Sequence, residues 1–252
     1  MLKYPSISLL ALVAATPVAA QENSRFDGIV VTASGIEQSR DEVGQAITVI
    51  DADTIENRQT TDVVDLLAAT PGIRFNRSGS TGSVAGISIR GAETTQTLVL
   101  IDGVKVNDPS GIGDGYDFGH LLTGNISRIE VLRGSNSVVH GSQAIGGVVN
   151  LMTAVPEAGF AGRASAEYGY SDTVNAKADL SGTAGAVSGG IGGAYFRTDG
   201  ISSAAIGTEK DGYKNFAGNA RLKIAFSDAL SLDLRGYYIN ADLDYDLSLI
   251  HI

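Results

Sequence analysis

From residue 161 onward polar and apolar side chains alternate one by one, and this period of two limits the fold more than any other feature of the sequence. In the first segment Ala164, Ala166, Tyr168 and Tyr170 share a face, against Arg163, Ser165 and Glu167. The second sets Val174, Ala176, Ala178 and Leu180 against Thr173, Asn175, Lys177, Asp179 and Ser181. A third, near 186–197, is Gly-rich and less clear. The fourth opposes Phe216, Ala220, Leu222, Ile224 and Phe226 to Asn215, Asn219, Arg221 and Lys223. In the fifth, Leu230, Leu232, Leu234 and Tyr238 oppose Ser231, Asp233 and Arg235.

Two environments reward such a pattern. A soluble antiparallel sheet packs its apolar face on a core and wets the other. A transmembrane barrel turns its apolar face to lipid and its polar face to the lumen, in segments of roughly 10 residues. Strand length favours the barrel, because strands in soluble sheets usually run ~5–6 residues. Tyrosines at segment ends suit an interfacial girdle, and connections are tight at 181–185 and 227–229 but long and polar at 198–214. The short Ser171-Asp172 link falls on the long-loop side and breaks that rule once. Single-chain bacterial barrels need at least ~8 strands. The five segments within residues 156–252 therefore read as the first part of a longer wall, and the chain as an N-terminal fragment.

Residues 1–20 have the layout of a secretory signal. Lys3 is the charged start, 7–15 the apolar stretch, and Val18-Ala19-Ala20 a small-residue cleavage site, with cleavage expected after Ala20. The apolar stretch is too short to span a membrane as a helix. The product is expected to be secreted, periplasmic or in an outer-membrane barrel of a Gram-negative bacterium. A net charge of −10, with no basic cluster longer than a pair, argues against nucleic acid as a partner. Without cysteine there is neither a disulfide framework nor a thiol nucleophile. His120, His140 and His251 are far apart, and Gly111-Ile112-Gly113-Asp114-Gly115 has no following Rossmann unit. No nucleophile elbow, Walker loop or zincin helix is present, so an enzyme is not expected.

Residues 35–155 read as a mixed α+β domain. Asp27-Gly28-Ile29-Val30-Val31-Thr32-Ala33-Ser34, in the mobile stretch 21–34, is a β-prone run suited to adding to a sheet edge, its own or a partner's. Ile47-Thr48-Val49-Ile50 is a short strand. A short amphipathic helix follows, with Thr60 or Thr61 to cap it and Pro71-Gly72 to stop it. Strands over 73–75 and 86–91 flank a polar loop at 77–83. Leu98-Val99-Leu100-Ile101 meets Val104-Lys105-Val106 across Asp102-Gly103, a strong type I′ hairpin signal. Residues 107–119 form a second Gly-rich loop. Ile129-Glu130-Val131-Leu132-Arg133-Gly134 is a strand ending in an Arg-Gly break; a turn or short helix leads to Gly146-Gly147 and a buried apolar strand. Paired glycines there imply close backbone packing.

Asp242-Leu243-Asp244-Tyr245-Asp246 puts alternate carboxylates in one stretch, at the barrel end that also carries Asp199, Glu209 and Asp211. Such acids can converge on Ca²⁺ or simply be solvated. An EF-hand is rejected, since Leu247 stands where it needs glycine.

These segments together resemble the TonB-dependent outer-membrane transporters over nearly the whole mature chain, from Asp27 to Asp246. Residues Asp27, Gly28, Ile29, Val30, Val31, Thr32 and Ala33 are similar to the TonB box. Ile89-Arg90-Gly91, the run from Leu98 to Val104, Ile129-Glu130-Val131-Leu132-Arg133-Gly134 and the run from Val139 to Asn150 resemble the family's plug motifs. His140 stands where the family usually has Tyr. Within the family the likeness is greatest to cobalamin receptors.

The resemblance implies a membrane all-β barrel of 22 strands, about five of them present, preceded by an α+β plug and lodged in outer-membrane lipid. It implies active transport of a large scarce ligand, most of all cobalamin, with a siderophore or haem as the alternative, and TonB as the energy-coupling partner. Ligand contacts would come from the plug apices, Asn76, Arg77, Ser78, Gly79 and Ser80 with Asn107, Asp108, Asp114 and Tyr116. Arg90 and Arg133 would pair with barrel glutamates beyond residue 252. No cofactor is required, and a structural Ca²⁺ would draw on Asp199, Glu209, Asp211, Asp242, Asp244 and Asp246.

Overall fold

The structure, a computed structural model, describes residues 29–30, 38–39, 44–111, 113–153, 159–202, 210–227 and 229–244. The expected signal segment and most of the box lie outside these residues. Two short strands, β1 (Ile29–Val30) and β2 (Gln38–Ser39), pair antiparallel, with Val30 opposite Gln38. After β3 (Ala46–Ile50) comes a helix that periodicity does not signal, α1 (Ala52–Arg58). Its one buried residue, Ile55, makes no apolar stripe. The local cap defines it: the Asp51 carboxylate accepts from the Thr54 amide at 2.8 Å.

The next helix, α2 (Val63–Ala68), buries Val63, Val64, Leu66 and Leu67 completely. Each such side chain contributes roughly 1.5–3 kcal/mol. Its cap is Asp62 rather than the expected Thr60 or Thr61: the Asp62 carboxylate accepts from the Asp65 amide at 2.8 Å. The carbonyls of Thr60 and Thr61 serve instead to hold Thr123, whose hydroxyl and amide reach them at 2.5 and 3.0 Å.

A hairpin follows, β4 (Ile73–Arg77) with β5 (Ala85–Ile89). β6 (Thr97–Ile101) and β7 (Val104–Lys105) turn at Asp102 and Gly103, whose φ values of 50° and 80° are those of the expected type I′ turn. β8 (Ile126–Arg133), the short helix α3 (Ser137–His140) and β9 (Gly147–Thr153) complete the domain. The main sheet runs β3-β8-β9-β6-β7, and only β6 and β9 are parallel. Both its faces are covered. Ile129, Val131, Val149 and Leu151 pack with α1, α2 and the hairpin, while Leu98, Leu132 and Val148 close on Ala144. A β-carbon at Gly147 would sit 2.4 Å from the Leu132 carbonyl oxygen, which is why the paired glycines are needed.

The second sheet is a meander of five strands in chain order: β10 (Gly159–Gly169), β11 (Thr173–Ala184), β12 (Val187–Thr198), β13 (Tyr213–Ser227) and β14 (Leu230–Leu243). The Gly-rich third segment is as regular as its neighbours, because cross-strand pairing supplies the register that its side chains do not. Phe160, Leu180, Ile191, Leu222, Leu234 and Tyr238 point outward and are exposed. Ala164 and Leu222 have no second layer over them among the described residues. That face fits lipid, not a soluble core. The inward face is polar where it is free, with Arg163–Asp179 at 3.3 Å and Arg221–Asp233 at 2.8 Å. Where it meets the first domain it is closed: Ala194, Phe196, Tyr213 and Ala217 gather on Leu122, and Tyr237 and Ile239 on the main core. No helix among the described residues is long and apolar enough to cross a membrane. The fold is thus a plug against the first strands of a barrel wall.

Candidate functional site: the plug apex and its seat

The β4–β5 hairpin has two ends with different chemistry. At one end its loop, 78–84, is held by only two backbone bonds of its own, Ser78 N to Val84 O at 3.0 Å and Ser83 N to Ser80 O at 3.1 Å. Asn76, Ser78 and Gly79 are exposed there. Arg77 is not: its guanidinium turns inward to Asp62 at 2.7 Å and Asp65 at 3.7 Å. Burial, then the Asp62 charge, pushes the Asp65 carboxyl above its ordinary range.

The second loop, 106–117, is built on Asn107. This side chain is only 6% exposed. Its amide nitrogen donates to the carbonyls of Thr97 and Asp114 at 3.1 and 3.0 Å, and its oxygen accepts from the Val99 amide at 2.8 Å. Both of its N–H donors and its oxygen are engaged by framework, so Asn107 sets the shape of the loop. Tyr116 is likewise drawn inward, edge-on to Phe118 at 5.1 Å, and burial raises its phenol pKa. Asp114 is tied to Gln143 at 2.6 Å. Asp108 stays exposed; bonds from the Ser110 hydroxyl and amide lower its carboxyl pKa. The two loops are joined by Asp117, whose carboxylate accepts from the amides of Ala85 and Gly119, both at 2.9 Å.

The seat of this apex in the wall carried no sequence signal in the motifs. Tyr213, 1% exposed, lies under Gly82, with its hydroxyl 3.1 Å from His120 Nδ1 and 2.7 Å from the Asn215 amide nitrogen that donates to it. Asn215 also donates to the His120 carbonyl at 2.8 Å. Continuing the fourth segment's alternation back to 213 puts an aromatic ring on the wet face, which was the available clue.

Arg90 and Arg133 sit at the opposite end of the hairpin, flanking Gly72. Arg133 donates to the Pro71 carbonyl at 2.7 Å and the Thr48 hydroxyl at 2.9 Å. Arg90, at φ 53°, is exposed and has no acidic partner among the described residues. Of the box, Ile29 and Val30 are described, and they pair with the chain's own β2. Among the expected calcium ligands, Glu209 and Asp246 lie outside the described residues. Asp199 is taken by Arg197 and Lys210, each at 3.1 Å, and the Lys210 bond foremost lowers its pKa. Asp242 stands across the strand pair from Lys214, and Asp211 is buried. No group of three or more metal-ligating side chains forms among the described residues.

Comparison with known proteins agrees with this architecture. The family described as TonB-dependent Receptor Plug Domain matches residues 39–148. A vitamin B12 transporter, BtuB, of Vibrio vulnificus strain CMCP6 is 41% identical over 156 residues, covering 60% of this chain and 25% of that protein. BtuB of strain YJ016 is 33% identical over 94% of this chain and 40% of its own length, so the chain spans well under half of these relatives. The solved pyoverdine outer membrane receptor FpvA of Pseudomonas aeruginosa PAO1, bound to pyoverdine, superposes with a TM-score of 0.72 at 21% identity, over 86% of this chain and 30% of that one. A plug seated on outward-apolar strands, a plug-domain match and these relatives lead to one assignment: residues 39–148 are a TonB-dependent receptor plug domain, in a chain similar over most of its length to vitamin B12 transporters.

Proposed function

We propose that the intact receptor carries cobalamin across the outer membrane with energy supplied through TonB. The observation that carries the ligand is the charge of the apex. Loops 76–83 and 107–118 hold Asp108, Asp114 and Asp117 but a single basic residue, Arg77, and that guanidinium is spent on Asp62. What faces outward is hydroxyl, amide and backbone together with the Asp108 carboxylate, and no basic group. Such a surface repels the multiply charged anions formed by many ferric siderophores. It suits a bulky, nearly neutral corrinoid with amide groups at its rim. The vitamin B12 transporters at 41% and 33% identity support the same ligand.

In this reading ligand binding at the apex frees the box segment from β2, and the segment then adds as a strand to TonB. No bond is made or broken in the ligand. The deciding experiment measures cyanocobalamin binding to cells displaying the intact receptor, in competition with a ferric siderophore and with haem. Displacement only by corrinoids is expected. Binding of a ferric siderophore or haem with corrinoids inert would move the ligand assignment to that class. Val30→Pro removes a strand donor. It is expected to abolish uptake and leave binding intact; unchanged uptake would refute the box assignment.

A further inference from the structure

We infer that Tyr213 is the positioning residue that sets the height and stiffness of the ligand-facing loop 78–84, by acting as a rigid platform beneath Gly82. The inference rests on the transport reading above for its ligand, and on geometry alone for its mechanics. The loop is Gly- and Ser-rich and makes only two backbone bonds within itself, so it cannot hold one shape unaided. Its base is fixed on the plug side, where Asp117 bonds Ala85 and Ser83 packs on Gly119, and its tip rests on the wall. A β-carbon placed on Gly82, whose φ is 90°, would come within 2.4 Å of two carbons of the Tyr213 ring. The loop backbone therefore rests directly on the ring, with no room for a side chain between them.

The ring cannot give way. It is stacked on His120 at 5.9 Å and 22°, lies 6.0 Å from Phe196, and is packed among Leu122, Ala194 and Ala217. Its hydroxyl is fixed by His120 on the plug and Asn215 on the wall. The residue is also the first of β13, paired with Thr198 at the end of β12. Just before it Gly212 accepts from the Asp244 amide at 2.8 Å. The chain just after β12 is held by Asp199 N to Ser171 O at 2.9 Å and by the Ser171 hydroxyl to Gly200 O at 3.0 Å. One side chain thus seats the plug apex against the paired ends of β12 and β13.

The test uses the intact receptor in outer membranes. Residues 1–252 hold no cysteine, so Ser80→Cys, with any cysteine after residue 252 replaced by serine, provides a labelling site for a nitroxide whose mobility is read without any ligand. Tyr213→Leu is expected to raise that mobility and to weaken cyanocobalamin binding about 10-fold or more, raising the KM of uptake while leaving the maximal rate near wild type. Tyr213→Phe keeps the platform and should restore low mobility and bring affinity to within about threefold of wild type. Gly82→Ala should weaken binding on its own, and its added cost should shrink in the Tyr213→Leu background, because the ring it strikes is gone. Unchanged mobility in a Tyr213→Leu receptor that reaches the membrane, or fully additive losses in the pair, would overturn the inference. If mobility rises as expected but the wild-type receptor binds no corrinoid, the platform stands and the ligand reading falls.

Discussion

Asp62 holds two structures at once, and its loss should be felt in both. Its carboxylate caps α2 at the Asp65 amide and neutralises Arg77 at the base of the apical loop, while only 3% of the residue is exposed. Asp62→Ala would leave a mostly buried guanidinium facing only Asp65 at 3.7 Å. Removing one partner of a buried pair costs about 3 kcal/mol. The midpoint of denaturant unfolding of the receptor in detergent should fall accordingly, and Asp62→Asn should recover part of the cap but not the ion pair. This residue also marks what sequence can tell at this scale. That a helix began near residue 60 was legible, but three residues in a row, Thr60-Thr61-Asp62, are all able to cap it, Asp somewhat better than Thr. Thr123, 63 residues from Thr60, decides among them by claiming the threonine carbonyls. The framework role of Asn107 was hidden for a similar reason: in sequence it opens a polar loop, and only the buried strand edge at Thr97 and Val99 reveals where its amide is used.

At the scale of the element, turns, long strands and the amphipathic α2 were readable, and α1, which has no apolar stripe, was not. Asp102-Gly103 encodes its turn locally, and positive φ at both residues follows. The Ser171-Asp172 link, at φ 58° and 50°, adopts the same left-handed pair without glycine, which explains how so short a connection closes β10 onto β11. Helix α1 depends on its cap instead of a stripe. Bonds from Thr54 hold the Asp51 carboxyl below its ordinary value. A depressed acid stabilises the fold above its unfolded pKa of 3.8, and that contribution is lost as pH falls through the lower folded value. Asp51→Ala should therefore cost about 1 kcal/mol near neutrality. The difference from wild type should vanish on acidification below the carboxylate range. Unfolding midpoints of the two proteins across a pH series check this; a pH-independent gap would contradict it.

Over the whole molecule the sequence announces two solvents. Strict alternation told that one face of residues 159–243 is apolar, but not what covers it; the exposed Leu222 and Leu234, opposite each other in β13 and β14, answer lipid. A charge there should be expensive. Leu222→Arg is expected to cost about 2–4 kcal/mol if it lies near the bilayer midplane, read as reduced folding into lipid vesicles. Its inward neighbour Lys223→Gln should fold as wild type. The contact between plug and wall was the part the chain could not disclose, since Gly82, His120 and Tyr213 come together across 131 residues with no motif linking them. The central claim is that this plug and wall serve energised import. It is tested most directly by the accumulation of radiolabelled cyanocobalamin in cells whose only corrinoid receptor is the intact protein, with and without TonB. The account predicts intracellular accumulation when TonB is present and surface binding alone when it is absent. Equal accumulation in both strains would contradict it.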